Sequence, residues 1–210
     1  MADSCCASTC SDETARSDPA WRRALWIALV VNGVMFFVEI IAGAASGSRS
    51  LQADALDFLG DSANYAISLG VAGMALVWRA RTALVKGLTI LAFALGVMVS
   101  AVWGIIAGTR PDPWAMTGIG ALALVTNISV ALLLYRFRSG DANMRSVWVC
   151  SRNDAINNLL VIGAGFVVLW TGSGLPDFVV ALIMALLGLQ GGWQVVRQAR
   201  YELAARGVPV

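Results

Sequence analysis

The chain has 210 residues, of which 58% are hydrophobic and 13% are charged, with a formal net charge of +2. Ordinary soluble domains have roughly 25% charged residues, so this composition excludes a typical soluble fold and indicates an integral membrane protein. The basic residues are scattered in small groups and form no clustered patch, which argues against nucleic acid as a partner.

The first 20 residues form a polar, acidic tail that contains Cys5, Cys6 and Cys10. The tail lacks the basic start and apolar core of a cleaved secretion signal, so we expect a retained, disordered cytoplasmic segment. Its thiols either capture a soft metal ion for a membrane site or have no fixed role. Cys150 lies far away in an apolar segment, so the four cysteines do not indicate a disulfide framework.

Residues 21–210 contain six apolar segments that are each long enough to cross a bilayer, since a hydrocarbon core of about 30 Å needs roughly 20 helical residues. They cover approximately residues 24–45, 51–78, 84–107, 114–135, 146–170 and 176–197. Glycine, serine and proline residues mark the short connections. We therefore predict an all-α, polytopic membrane protein built as a six-transmembrane-helix bundle.

The basic residues also predict the orientation, because they concentrate on the cytoplasmic side of membrane proteins. With the N-terminus inside, the cytoplasmic segments carry Arg16, Arg22, Arg23, Arg79, Arg81, Lys86, Arg136, Arg138, Arg145, Arg197, Arg200 and Arg206. The opposite side carries only Arg49 and Arg110, and Arg152 falls inside the fifth span. Both termini are thus predicted to be cytoplasmic, and the short loops favour a bacterial cytoplasmic (inner) membrane.

Acidic residues within the second span need an explanation, because a charged side chain at mid-bilayer costs at least about 2.5 to 3.5 kcal/mol on insertion scales. Asp54, Asp57 and Asp61 are spaced by three and then four residues, so a helix places them on one face. Asn64 continues that face. In the first span, Glu39 is a further acidic residue.

The fifth span carries a second polar face, on which Cys150, Asp154 and Asn158 recur every fourth residue. Asp61 and Asp154 each lie about 15 Å from one end of their span, which places both near the midplane. A bound dication would remove the repulsion between buried carboxylates. Three carboxylates and one thiol favour zinc or a neighbouring transition metal over calcium or magnesium.

Several motifs follow one another along the membrane region. They are Asn32, Glu39 and Gly43, then Ser50-Leu51-Gln52-Ala53-Asp54-Ala55 ahead of Asp57 and Asp61, then Cys150 with Asp154, and finally Pro176-Asp177. Together they resemble the cation diffusion facilitator family of metal/proton antiporters. The resemblance implies Asp57, Asp61, Cys150 and Asp154 as metal ligands. It also implies that the first, second, fourth and fifth helices enclose the site, while the third and sixth pack together.

Two features depart from that family. Cys150 replaces the histidine that often occupies its position, and the sequence contains no histidine, so a thiolate here favours zinc or cadmium. The sequence also ends soon after the last span, so we expect a short member without the C-terminal cytoplasmic domain that helps relatives to dimerise. The small-x-x-x-small pairs Gly43 with Gly47 and Gly104 with Gly108 remain compatible with a homodimer.

Further polar residues are interpreted as groups that support the ligands or line the entrance. These are Glu39, Asp54, Asn64, Asn157 and Asn158. Asn157 or Asn158 could instead replace Cys150 as an oxygen ligand. Asn32 and Asn127 are predicted to form hydrogen bonds between helices.

The favoured function is export of a divalent transition-metal ion by alternating access, with protons as the counter-ion, because both compete for the same ligands. The ion is Zn²⁺ or a similar one, such as Cd²⁺, Co²⁺ or Ni²⁺. The chain is thus predicted to be a secondary active transporter, not an enzyme, with no cofactor. Two alternatives stay open: a membrane-embedded metal sensor or metalloenzyme, disfavoured by short loops and missing histidine, and a proton-coupled carrier of organic cations.

Overall fold

A computed structural model describes residues 19–70, 76–137 and 142–205, which form six α-helices and no strand. The helices are α1 (Pro19–Ser46), α2 (Arg49–Gly70), α3 (Leu76–Ala107), α4 (Pro113–Tyr135), α5 (Ala142–Thr171) and α6 (Leu175–Ala204). The predicted all-α helical bundle is therefore confirmed. Cys5, Cys6 and Cys10 lie outside the described residues, as do the side chains of Cys150 and Arg152.

Five of these helices are long and apolar enough to cross a membrane. They are α1, the Ala80–Ala107 part of α3, α4, the Asn153–Thr171 part of α5, and α6. Large apolar side chains project from the outside of the bundle, among them Trp103, Ile106 and Trp170, the last with 88% of its surface exposed. Such an apolar exterior fits lipid and not water. The protein is an integral, multi-pass membrane protein.

The remaining helix, α2, is too polar to meet the same criterion because it carries three aspartates. It occupies the middle of the bundle and contacts all five other helices. Asp54 and Asp61 are buried and Asp57 is half-buried. The neighbouring helices thus shield from lipid the carboxylates that would make an isolated α2 unstable in a bilayer.

The helix boundaries differ from the predicted spans around the second connection. The predicted second span extends to residue 78, whereas Leu76 already belongs to α3. Lys86, counted above among cytoplasmic basic residues, lies about 15 Å along α3 and only 9% of its surface is exposed. The assignment of Lys86 to a cytoplasmic segment was therefore wrong.

The helices pack mainly as three pairs, α1 with α2, α3 with α6, and α4 with α5. The pairing of the third helix with the sixth agrees with the resemblance. Glycines permit the close approach: a Cβ at Gly43 would lie 2.9 Å from Gln52 Cγ, and one at Gly104 would lie 2.6 Å from the Phe178 ring. These two glycines therefore have packing roles within one chain, and their spacing gives no separate support for a homodimer.

The N-terminal end of α2 is fixed to α6 by a buried carboxylate. Asp177, in the first turn of α6, accepts hydrogen bonds from the backbone N–H groups of Arg49 (2.8 Å) and Ser50 (3.0 Å). It also accepts from the hydroxyls of Ser48 (2.7 Å) and Ser50 (2.6 Å). Since the first N–H groups of a helix have no partner within it, Asp177 acts as the N-terminal cap of a different helix.

We predict that Asp177→Ala destabilises the protein more than loss of a local helix cap does. Four donors would lose a charged acceptor in a buried place, and hydrogen bonds to charged groups contribute about 1.5 to 3 kcal/mol each on mutation. Asp112→Ala is the control, because Asp112 caps only its own helix, through Trp114 N at an exposed position. Thermal unfolding of the purified proteins in one detergent measures the difference, and equal melting temperatures would contradict the role of Asp177.

Candidate metal centre

A cavity of about 470 Å³ lies between α2, α3, α5 and α6. Its polar lining residues are Asp57, Asp61, Asn64, Lys86, Asn153, Asp154, Asn157, Gln190 and Gln194. Three of the four predicted metal ligands, Asp57, Asp61 and Asp154, therefore line one cavity. The fourth, Cys150, belongs to α5 one turn before Asp154, but its side chain lies outside the described part of the chain.

Helical spacing explains why α2 and α5 present these residues together. Asp57 and Asp61 are four residues apart on α2, and Asn153 and Asn157 are four apart on α5, so each pair lies on one face of its helix. Asn157 Nδ2 donates a hydrogen bond of 3.0 Å to Asp57 Oδ2. This contact joins the polar faces of the two helices directly.

Asp61 is oriented from within its own helix. The hydroxyl of Tyr65, a fully buried side chain, donates to Asp61 Oδ2 at 2.8 Å. A carboxylate has two oxygens and about four lone-pair sites, so this hydrogen bond orients Asp61 without exhausting its capacity to bind a cation. The hydrogen bond from the Asn157 amide likewise orients Asp57 and leaves it able to bind a cation.

A second set of buried polar groups links four helices beside the cavity. Asn158 Nδ2 donates to Asp54 Oδ2 at 2.6 Å, and Asn127 Nδ2 donates to Asn158 Oδ1 at 2.9 Å. The buried Glu39 carboxyl lies next to the Asp54 carboxyl. The chain of contacts Glu39–Asp54–Asn158–Asn127 thus runs through α1, α2, α5 and α4, and all four side chains are buried.

The Glu39–Asp54 contact brings two carboxyl groups together in a buried place. Both Glu39 oxygens and Asp54 Oδ1 are buried and have no hydrogen-bond partner among the described residues. Two carboxyl groups form a hydrogen bond only when one of them carries a proton and donates it. One proton held between Glu39 and Asp54 would supply the missing hydrogen bond, and neither residue lines the cavity.

The remaining predicted residues fall into two groups. Asn64 and Asn157 line the cavity, whereas Asn158 lies in the buried chain with Glu39 and Asp54. Asn127 forms the expected interhelical hydrogen bond, but Asn32 donates to Ala28 O of its own helix at 2.8 Å. The prediction for Asn32 was wrong, because an amide in a helix can reach the carbonyl four residues before it.

The helices around the cavity are not all those that the resemblance implies. Residues of α3 and α6 line it, while α1 and α4 contribute to the buried chain of contacts instead. Sequence reasoning therefore missed Lys86, Gln190 and Gln194. The two glutamines carry a signal that could have found them, since they are four residues apart in the stretch between Asp177 and Arg197, which is otherwise apolar.

We predict that Glu39→Gln is tolerated and Glu39→Ala is not. The Gln amide can still donate to Asp54, whereas Ala leaves a buried carboxyl oxygen without a donor, which costs about 1 to 3 kcal/mol. Chemical unfolding of the two variants in the same detergent measures the difference. Equal stability of Glu39→Ala and Glu39→Gln would show that the pair contributes nothing to folding.

Comparison with known proteins gives consistent matches over this region. Residues 25–204 match the family model described as the cation efflux transmembrane domain. The zinc transporter ZitB of Escherichia coli is 28% identical over 203 residues, which cover 90% of this chain and 64% of the relative. The metal cation efflux system protein CzcD of Cupriavidus metallidurans is 22% identical over 199 residues, which cover 89% of this chain and 63% of the relative.

The chain thus spans a little less than two thirds of the length of these relatives. The family model, in contrast, matches all six helices from Leu25 onward, including those that line the cavity. The chain therefore belongs to the cation efflux family, also called the cation diffusion facilitator family.

Proposed function

We propose that this protein exports a divalent transition-metal ion, zinc or a similar one, from the cytoplasm. The observation that carries the proposal is that Asp57, Asp61 and Asp154, from two different helices, line one cavity inside a membrane bundle. A cluster of carboxylates in this position needs a cation to offset its charge. The relatives named as a zinc transporter and as a metal cation efflux protein support a metal ion as that cation.

The proposed ligands are the carboxylates of Asp57, Asp61 and Asp154 together with the thiolate of Cys150. Four ligands of this kind suit tetrahedral zinc. Among the described side chains, no three acidic, cysteine or histidine groups lie close enough together to hold one ion. Loading therefore requires α2 and α5 to close around the ion, with Cys150 completing the set from one turn before Asp154.

Protons are the proposed counter-ion. Carboxylates and thiols coordinate a metal only when deprotonated, so proton binding and metal binding exclude one another at each ligand. A more acidic exterior would discharge the ion, and the cytoplasmic pH would favour loading. The cavity lies between the α3/α6 pair on one side and α2 and α5 on the other. Movement of α3 and α6 against α2 and α5 would open the cavity to one side of the membrane and then to the other.

We place the protein in a bacterial cytoplasmic membrane, with both termini on the cytoplasmic side. Without Lys86, the basic residues outside the spans are still divided eleven to two in favour of that side. Both relatives described above come from bacteria, which fits this membrane.

The size of the cavity favours one alternative substrate. A volume of about 470 Å³ is much larger than a bare metal ion and falls in the range of small-molecule pockets. A small organic cation, with the aspartates as counter-charges, is therefore the second candidate.

The first prediction for this function concerns transport. Purified protein in proteoliposomes should move protons when a Zn²⁺ gradient is applied, and Asp57→Ala or Asp154→Ala should reduce this flux by at least about tenfold, since even groups that only support metal ligands give losses of that size. A pH-sensitive dye inside the liposomes measures the flux. Asp112→Ala, at an exposed helix cap, is the control. Undiminished flux in both cavity variants would refute the site.

The second prediction concerns binding. Zn²⁺ should raise the melting temperature of the wild-type protein, because a ligand at 100 times its Kd stabilises the folded state by about 2.7 kcal/mol. Asp61→Ala should abolish the shift. Tetramethylammonium, tested in parallel, separates the two substrates: stabilisation by the organic cation and not by Zn²⁺ would favour the second candidate.

A further inference from the structure

Lys86 is the only lysine in the chain, against fourteen arginines. It lies about 15 Å from the start of α3, is nearly buried, and lines the same cavity as Asp57, Asp61 and Asp154. Its ammonium group donates a hydrogen bond to Asn64 Oδ1. Because Asn64 follows Asp61 by three residues on α2, this bond holds the Lys86 ammonium beside the acidic face of that helix.

The position of Lys86 is fixed by tight packing of its helix. A Cβ at the adjacent Gly87 would lie 2.7 Å from Val196 Cγ2 and 3.1 Å from the carbonyl oxygen of Gly192, both on α6. The backbones of α3 and α6 are thus in close contact at the level of Lys86. A lysine near a membrane surface usually extends its ammonium group to water, whereas this one bonds to a side chain within the bundle.

A hydrogen bond to Asn64 alone does not require a charged donor. A neutral amide in the same place could donate to Asn64 Oδ1 equally well, and a buried ammonium carries a desolvation cost that an amide avoids. The positive charge therefore needs a partner beyond Asn64. The other charged side chains that line the cavity, among those described, are the three aspartates.

We propose that Lys86 is a resident counter-charge of the cargo cavity. This role rests on the proposed function. Three ionised aspartates, the Cys150 thiolate of the proposed ligand set and one ammonium give the site a net charge of minus three, which a single divalent ion reduces to minus one. Without Lys86 the same site would keep two negative charges after loading, and uncompensated charge inside a membrane protein is costly.

The counter-charge also limits how tightly the cavity holds its ion. An ammonium and a dication repel each other, and this repulsion is stronger inside a protein than in water because the effective dielectric constant is lower. A transporter must release its cargo on the far side, so a very deep binding well would slow turnover. Lys86 therefore favours release over retention.

The test compares four full-length proteins in lipid nanodiscs. They are the wild type, Lys86→Gln, Lys86→Arg and Arg81→Gln. Gln keeps a donor for Asn64 but removes the charge, and Arg keeps the charge. Arg81→Gln is the matched control, since Arg81 belongs to the same helix but is exposed and stacks over Trp78, 5.2 Å from the ring centroid. The dissociation constant for Zn²⁺ is measured by competition with a fluorescent zinc indicator.

We expect Lys86→Gln to bind Zn²⁺ at least about tenfold more tightly than the wild type and to transport it more slowly. Lys86→Arg and Arg81→Gln should stay within about threefold of the wild-type dissociation constant. A solely structural role for Lys86 predicts weaker or unchanged binding in Lys86→Gln instead, so either of those results would overturn the proposal.

A second measurement needs no variant of Lys86. Wild-type protein labelled with [ε-¹³C]lysine gives one lysine side-chain NMR signal, because the chain has a single lysine. Saturation with Zn²⁺ should shift this signal in the wild type and not in Asp61→Ala. An unmoved signal in zinc-saturated wild type would overturn the role of Lys86 alone. Failure of the wild type to bind Zn²⁺ would overturn the proposed function, and the role of Lys86 with it.

Discussion

The cost of placing carboxylates inside a membrane determines how this bundle is built. Asp54, Asp57 and Asp61 make α2 too polar to face lipid, and α2 accordingly lies at the centre in contact with every other helix. The other five helices expose large apolar side chains on the outside, and several of their polar residues, such as Glu39, Asn127 and Asn158, are buried inside. Because the one polar helix lies at the centre, the bundle can have acidic groups inside and an apolar surface facing lipid.

The polar interior is divided into two parts with different chemistry. Asp57, Asp61 and Asp154 line a cavity together with Lys86 and several amides. Asp54 and Glu39 instead form a closed pair that amides from α4 and α5 extend. The first part retains space for a guest, whereas the second is buried and ties four helices together. The three carboxyl groups of α2 therefore lie in two different environments, although they belong to one polar face of the helix.

Much of this organisation follows from the sequence, and the failures have physical reasons. The length of the apolar segments predicted the six helices, and four-residue spacing placed Asp57 with Asp61 on the cavity face. Lys86 was misplaced because a basic residue near the start of an apolar span is commonly a surface anchor, and only tertiary packing shows that it points into the bundle. The sequence also did not show that Glu39 and Asp54 are neighbours. Which faces of α1 and α2 meet depends on the close packing of Gly43 against Gln52.

Asp177 holds the N-terminal end of α2 against α6, so the two ends of α2 differ in how far they could move. Because its N-terminal end is held near Ser50, a tilt of α2 would displace each residue in proportion to its distance from that point. Asp57 lies about 10 Å and Asp61 about 16 Å from Ser50 along the helix axis. A small tilt would carry Asp61 roughly one and a half times as far as Asp57. One rigid movement would thereby change the separation of each carboxylate from α5 by a different amount.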